Sequence, residues 1–181
     1  MTDNAMIQRA LAEGFSAACI INTQDIVFDA MFRPFCAENL CGHYGANYTC
    51  PPDCGTVAEM EKRLTVYPRA LVLQTKWPIT DYQDRQAIKE AKGIHNAGML
   101  KIIRELNENG ISGIMAGASC CTLCERCAIQ DGLPCHFPDL RWSCLSAYCI
   151  FVRKLAECCG MEYTCADGSL ALFGLYAFQG T

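Results

Sequence analysis

The sequence predicts an α/β fold: a single compact domain, a mixed sheet with packed helices and two cysteine-rich metal-binding loops. Three observations lead there. Short apolar runs of strand length alternate with longer stretches whose apolar residues recur at helical spacing. Of 181 residues, 51% are hydrophobic and 19% charged, enough apolar material for one core, and no linker or internal repeat divides the chain, so residues 1–181 are read as one unit. Two stretches, about 35–55 and 119–138, lose all periodicity and are instead crowded with cysteine.

The elements follow in chain order. Residues 2–13 read as a helix capped by Thr2 or Asp3 and stopped by Gly14. Ala17 to Ile26 reads as a buried strand containing Cys19, Ile20 and Ile21, and a further apolar segment, Ile26 to Phe32, leads into Pro34. Cys, Gly, Pro, Asn and Asp then dominate from Phe35 to Gly55, which is loop chemistry. Glu59 to Leu64 gives one or two helical turns, and Ala70 to Thr75 is an apolar run of strand length.

The clearest helix comes next. Thr80 and Gln83 have capping-box spacing, an apolar stripe runs through Ile88, Ala91, Met99, Ile102, Ile103 and Leu106, and Asn109-Gly110 closes it. Gly113 to Ala116 is a short strand that feeds the second cysteine loop. Leu145, Tyr148, Cys149, Val152, Leu155, Ala156 and Cys159 recur at helical spacing, which predicts a helix over 145–159. Met161 to Thr164 and Leu170 to Phe178, separated by a turn containing Asp167-Gly168, predict a terminal hairpin.

Charge and targeting signals narrow the class. A net charge of −4 with no basic cluster argues against binding to nucleic acid or to anionic lipid. No apolar run reaches the roughly 20 residues of a membrane-spanning helix. Asp3 and Glu13 stand where a secretory signal would be basic and then apolar, so a cytoplasmic protein is expected. Phosphate-loop, dinucleotide, serine-elbow and HExxH motifs are absent from the sequence.

Fifteen cysteines then demand an explanation. The number is odd and the expected compartment is reducing, which disfavours a disulfide framework. So many thiols are also an oxidation hazard unless metal or an anaerobic setting protects them.

The stronger metal signature is Cys121, Cys124, Cys127 and Cys135, two overlapping CxxC steps followed by a fourth thiol. Successive two-residue gaps let one tight loop reach several corners of an iron–sulfur cubane. Zinc ribbons instead keep their two CxxC pairs well apart. Cys120 is adjacent and able to substitute for Cys121. The second constellation is Cys36, Cys41, Cys50 and Cys54, whose gaps match no common zinc module and whose glycines and prolines let the backbone wrap something compact. His43 beside Cys41 reads first as a solvated loop histidine. Cys19, Cys149 and Cys159 fall on apolar faces and read as small core residues, while Cys144, Cys158 and Cys165 lie near element ends, Cys144 being the best placed as an extra ligand.

The combination of CxxxxCGHYGANYTCPP at Cys36 to Pro52, GASCCTLCERC at Gly117 to Cys127, PCHFP at Pro134 to Pro138 and a helix after Trp142 resembles the cysteine-rich, predicted metal-binding family catalogued as domain of unknown function 2284. The resemblance implies metal and names no reaction. It carries over onto Cys36, Cys41, Cys50, Cys121, Cys124, Cys127 and Cys135. Where members continue with a proline-serine, glutamate-containing helix start and a glycine, this chain has Trp142-Ser143, Ser146 and Cys149, and Cys120, Cys144 and Cys149 look like additions of its own branch.

Three functional readings result. The first is two [4Fe–4S] clusters about a domain's width apart, passing electrons to a redox partner protein whose surface complements the acidic chain. In the second, Cys54 does not ligate and an open iron of a three-cysteine cluster activates a small substrate, with His43, Tyr44, Tyr48 or Asp53 moving protons. The third is a zinc-stabilised interaction module.

Overall fold

The computed structural model describes residues 1–180. Its centre is a five-stranded sheet in the order β1-β2-β5-β3-β4, where β1 is Ala17–Asn22, β2 Arg69–Trp77, β3 Gly113–Gly117, β4 Ser143–Cys144 and β5 Leu170–Phe178. All pairings are antiparallel except β3 with β4, which makes the sheet mixed as expected. The helices are α1 (Asp3–Ala12), the short α2 (Arg33–Ala37), α3 (Val57–Thr65), α4 (Arg85–Glu108) and α5 (Val152–Cys158).

Alternation along β2 and β5 divides the core, because successive strand residues face opposite sides. Leu71, Leu73, Tyr176 and Phe178 face Met6 and Ala10 of α1 and Met99, Ile102 and Leu106 of α4. Ala70, Val72, Leu175 and Ala177 face Met60 and Leu64 of α3 and Leu155 and Ala156 of α5. Both faces of the central strands are therefore covered, which accounts for their near-continuous apolar runs.

Three expectations are corrected. The helix predicted over 145–159 exists only as α5, because Cys149 has φ of +56° and Leu145 to Ile150 run as buried turns. That left-handed residue interrupts a helical ladder. The terminal hairpin does not form: Met161 to Thr164 is irregular, and β5 inserts between β2 and β3. The long helix is capped by Asp84, whose Oδ1 accepts from the Ala87 N–H at 2.9 Å, and not by Thr80. Among smaller differences, the first strand ends at Asn22 and Thr23–Asp25 is a single 3₁₀ turn. No described helix is long and apolar enough to cross a membrane.

Candidate metal centre

The second cysteine loop springs from the end of β3, and its root is fixed by one buried side chain of α4. Asn96 accepts from the Ala118 N–H at 2.9 Å and donates to the Ser119 hydroxyl at 2.8 Å, while Trp142 Nε1 donates to the Ser119 carbonyl at 3.0 Å. Gly117 is required at this junction, since a Cβ there would lie 2.8 Å from Asn96 Oδ1 and 2.9 Å from Trp142 Nε1. From that root the loop curls so that Cys121, Cys124, Cys127 and Cys135 line one cavity. The 3₁₀ turn Ala128–Asp131 ends on Gly132 in the left-handed region and turns the chain back toward Cys135.

The first loop lies directly against the second. Asn47 Nδ2 donates to the Cys121 carbonyl at 3.0 Å, and the Cys121 N–H donates to Thr49 Oγ1 at 3.2 Å. Asn47 Oδ1 in turn accepts from the Thr49 N–H and hydroxyl at 3.0 and 2.8 Å. At the outer edge Tyr48 OH donates to the Leu133 carbonyl at 2.8 Å, Gln130 Nε2 donates to the Ala46 carbonyl at 3.0 Å, and the Arg141 guanidinium covers the Tyr48 ring. The sequence reading placed the two sites about a domain's width apart. The structure joins their loops by hydrogen bonds, because the run Gly45 to Cys50 is complementary to the backbone around Cys121.

The thiols of the first loop divide. Cys50 and Cys120 are both buried and interact closely enough to set each other's acidity: the Cys50 thiol is pushed up, first by Cys120 and then by burial, and the Cys120 thiol is pulled down, chiefly by Cys50. Cys41 and Cys144 lie within electrostatic reach of Cys50, and Cys36 and Cys41 within reach of Cys144. Strand pairing explains the presence of Cys144, since Gly117↔Cys144 is a register pair of β3 and β4 at the root of the second loop. Burial pushes the Cys144 thiol up to about 11, opposed by the Ala147 N–H, which donates to its sulfur at 3.4 Å. Burial also raises Cys36, against the lowering effect of Arg33. Cys54, in contrast, is buried in the core and accepts from Arg33 Nη1 at 3.5 Å, while Arg33 Nη2 donates to the Ala147 carbonyl at 3.0 Å.

The four predicted thiols of the second loop line one cavity, while Cys36, Cys41, Cys50, Cys120 and Cys144 are neighbours at electrostatic range only. Cys54 faces Arg33 and the core, still within electrostatic reach of Cys36. The neighbouring pair Cys120-Cys121 divides between the groups, Cys120 to Cys50 and Cys121 to the cavity. That division is what sequence reasoning missed. The doublet itself was the available signal, because adjacent residues of an extended chain point to opposite sides. His43 is exposed. Cys149 is fully buried, and Cys19 and Cys159 pack partly buried against the core.

Among the described residues no three His, Cys, Asp or Glu side chains close on a single metal ion. The second-loop cavity is about 20 Å³, room for one water-sized centre, so an occupant larger than an ion would have to spread the loop as it entered. In donor chemistry the set fits a thiophilic centre, since four thiols stand around one cavity and a cubane takes one thiolate at each iron corner. A tetrahedral zinc site needs all four sulfurs on one centre.

No curated protein and no solved structure matches the chain. Residues 19–176 match the profile of the family described as predicted metal-binding protein (DUF2284), a span that includes both cysteine loops and nearly all of the sheet, and the chain belongs to that family.

Proposed function

We propose that this metal-binding protein is an iron–sulfur protein that carries two [4Fe–4S] clusters and passes electrons to a redox partner. One cluster is assigned to Cys121, Cys124, Cys127 and Cys135, the other to Cys36, Cys41, Cys50 and Cys120. The observation that carries the reading is that the four second-loop thiols line one cavity, where His136 is the one other metal-ligating side chain. When bound, such clusters supply one-electron chemistry at a potential set by burial, charge and hydrogen bonds to sulfur.

The chain's own residues supply those settings. Leu123 and Phe137 give the second-loop cavity an apolar lining, and Arg141, also in the lining, places a positive charge beside four thiolates. In the first set, Cys120 and Cys50 are buried while Cys41 is exposed, so that centre has an inner side toward the other cluster and an outer side toward solvent. Cys120 and Cys121 are consecutive, and one peptide unit would link the two centres. Such a path favours electron transfer between them over two isolated structural sites.

A second reading has its own supporting observation. Cys54 is engaged by Arg33, so the first loop alone offers three thiols, and an open iron results if Cys120 does not ligate. Iron, acid-labile sulfide and zinc analysis on protein prepared without oxygen tests all of these. Two cubanes give about eight iron and eight sulfide per chain. Zinc without sulfide would refute both iron readings in favour of a zinc-stabilised module. The electron paramagnetic resonance spectrum of the reduced first cluster separates the two: it changes in Cys120→Ala if Cys120 is a ligand and stays as in the parent if that iron is open.

A further inference from the structure

A second cavity, far larger than the first, opens beside the outer thiols Cys36 and Cys41. Its volume is about 560 Å³. One wall comes from α2 and the turn after it, the other from Ile150 and the start of α5, and Tyr163 completes the lining. Phe32 and Phe35 stand 6.5 Å apart between ring centroids, and Phe32 meets Phe151 edge to face at 5.2 Å, so Phe32 links the phenylalanines of the two walls.

We propose that this cavity binds a small apolar organic anion, an aromatic or aliphatic monocarboxylate, held with its carboxylate at Arg153 and its apolar body against the phenylalanines. Three observations favour that occupant. The volume falls in the range of small-molecule sites, roughly 300–1,000 Å³, and the lining is apolar and aromatic with few polar groups, as such sites are. Arg153 is the one charged side chain of the lining, and no carboxylate lies within ion-pair distance of it among the described residues. Its guanidinium lies over the Tyr163 ring at 5.3 Å, which orients the donors without neutralising the charge. Finally, Phe35 and Leu40 are 61% and 74% exposed although they line the cavity, apolar surface that a ligand would cover.

Cys36 and Cys41 are part of the lining, so a bound molecule would share the cavity with the first metal site assigned above. Its binding does not require that assignment. The test is equilibrium dialysis of 2-naphthoate and of decanoate, each against its neutral amide, with oxygen-free protein whose iron is measured in the same samples. Saturable binding of at least one carboxylate is expected, with its amide at least tenfold weaker. Arg153→Leu should reduce carboxylate affinity at least tenfold and change the amide less than threefold. Phe35→Asp, an exposed position, should abolish both. Absence of saturable carboxylate binding, or equal affinity for acid and amide unaffected by Arg153→Leu, would overturn the proposal even in iron-loaded protein. Tight, Arg153-dependent binding to a chain that holds no iron would support the cavity and refute the cluster reading instead.

Discussion

Asn47→Ala removes the clasp between the two cysteine loops, and its cost can be worked from the bonds it makes. Asn47 is only 6% exposed and takes part in three hydrogen bonds, one donated to the Cys121 carbonyl and two accepted from Thr49. A net contribution near 1 kcal/mol for each gives about 3 kcal/mol as an upper figure. Thr49 Oγ1 keeps its bond from the Cys121 N–H in the variant, and water entering the vacated space satisfies part of the rest, which brings the expected loss to about 2 kcal/mol. Urea unfolding of reduced, metal-free protein reads this as a lower midpoint at unchanged slope. Thr49→Val should cost a similar amount, and the double variant less than the sum, because the two side chains share bonds. In iron-loaded protein Asn47→Ala should also speed iron release to a chelator from both sites. A loss below about 0.5 kcal/mol, or strict additivity with Thr49→Val, would mean that the loops are not held together by this side chain.

Other perturbations address the sites and the sheet. Cys54→Ala should keep the iron content of the parent, whereas Cys121→Ala and Cys124→Ala should each lose about half, read by iron and sulfide analysis. Gly113→Ala should prevent folding or cost at least about 3 kcal/mol in denaturant unfolding, since its Cβ would lie 2.0 Å from the Ala177 carbonyl in the paired strand β5. His95 shares a hydrogen bond with Thr75 Oγ1 at 2.8 Å, and its burial lowers its pKa to about 4. The unfolded chain therefore binds a proton that the folded chain refuses between pH 6.5 and 4, and stability falls as pH drops through that window. Of the wild-type loss between pH 7 and pH 5, about 2 kcal/mol belongs to His95 and should be missing from His95→Gln.

Legibility in the sequence followed the range of the interactions. The strands at Ala70 to Thr75 and Leu170 to Phe178 and the stripe from Ile88 to Leu106 were readable because each is long, apolar and bounded by turn residues. The stretch from Leu145 to Ile150 misled because nearly all of it is buried, and a wholly buried segment can mimic helical spacing in any conformation. The hairpin failed because Met161 to Thr164 has no partner strand, whereas β5 finds two distant ones. In the site, Cys121, Cys124, Cys127 and Cys135 could be grouped because they are close in sequence. Cys50 and Cys120 meet only through the fold, as do Cys54 and Arg33, which are 21 residues apart in the chain.

The contact between Cys50 and Cys120 spans about 70 residues of chain, and α3, β2, α4 and β3 all lie inside the loop it closes. Iron bound between those sulfurs would act as a cross-link, restricting the unfolded ensemble as a disulfide does, by about 4 kcal/mol for a loop of this size in the chain-entropy account. The same geometry makes metal and sheet mutually supporting, since strand pairing and a metal bound at these sulfurs would hold together the ends of the same stretch of chain.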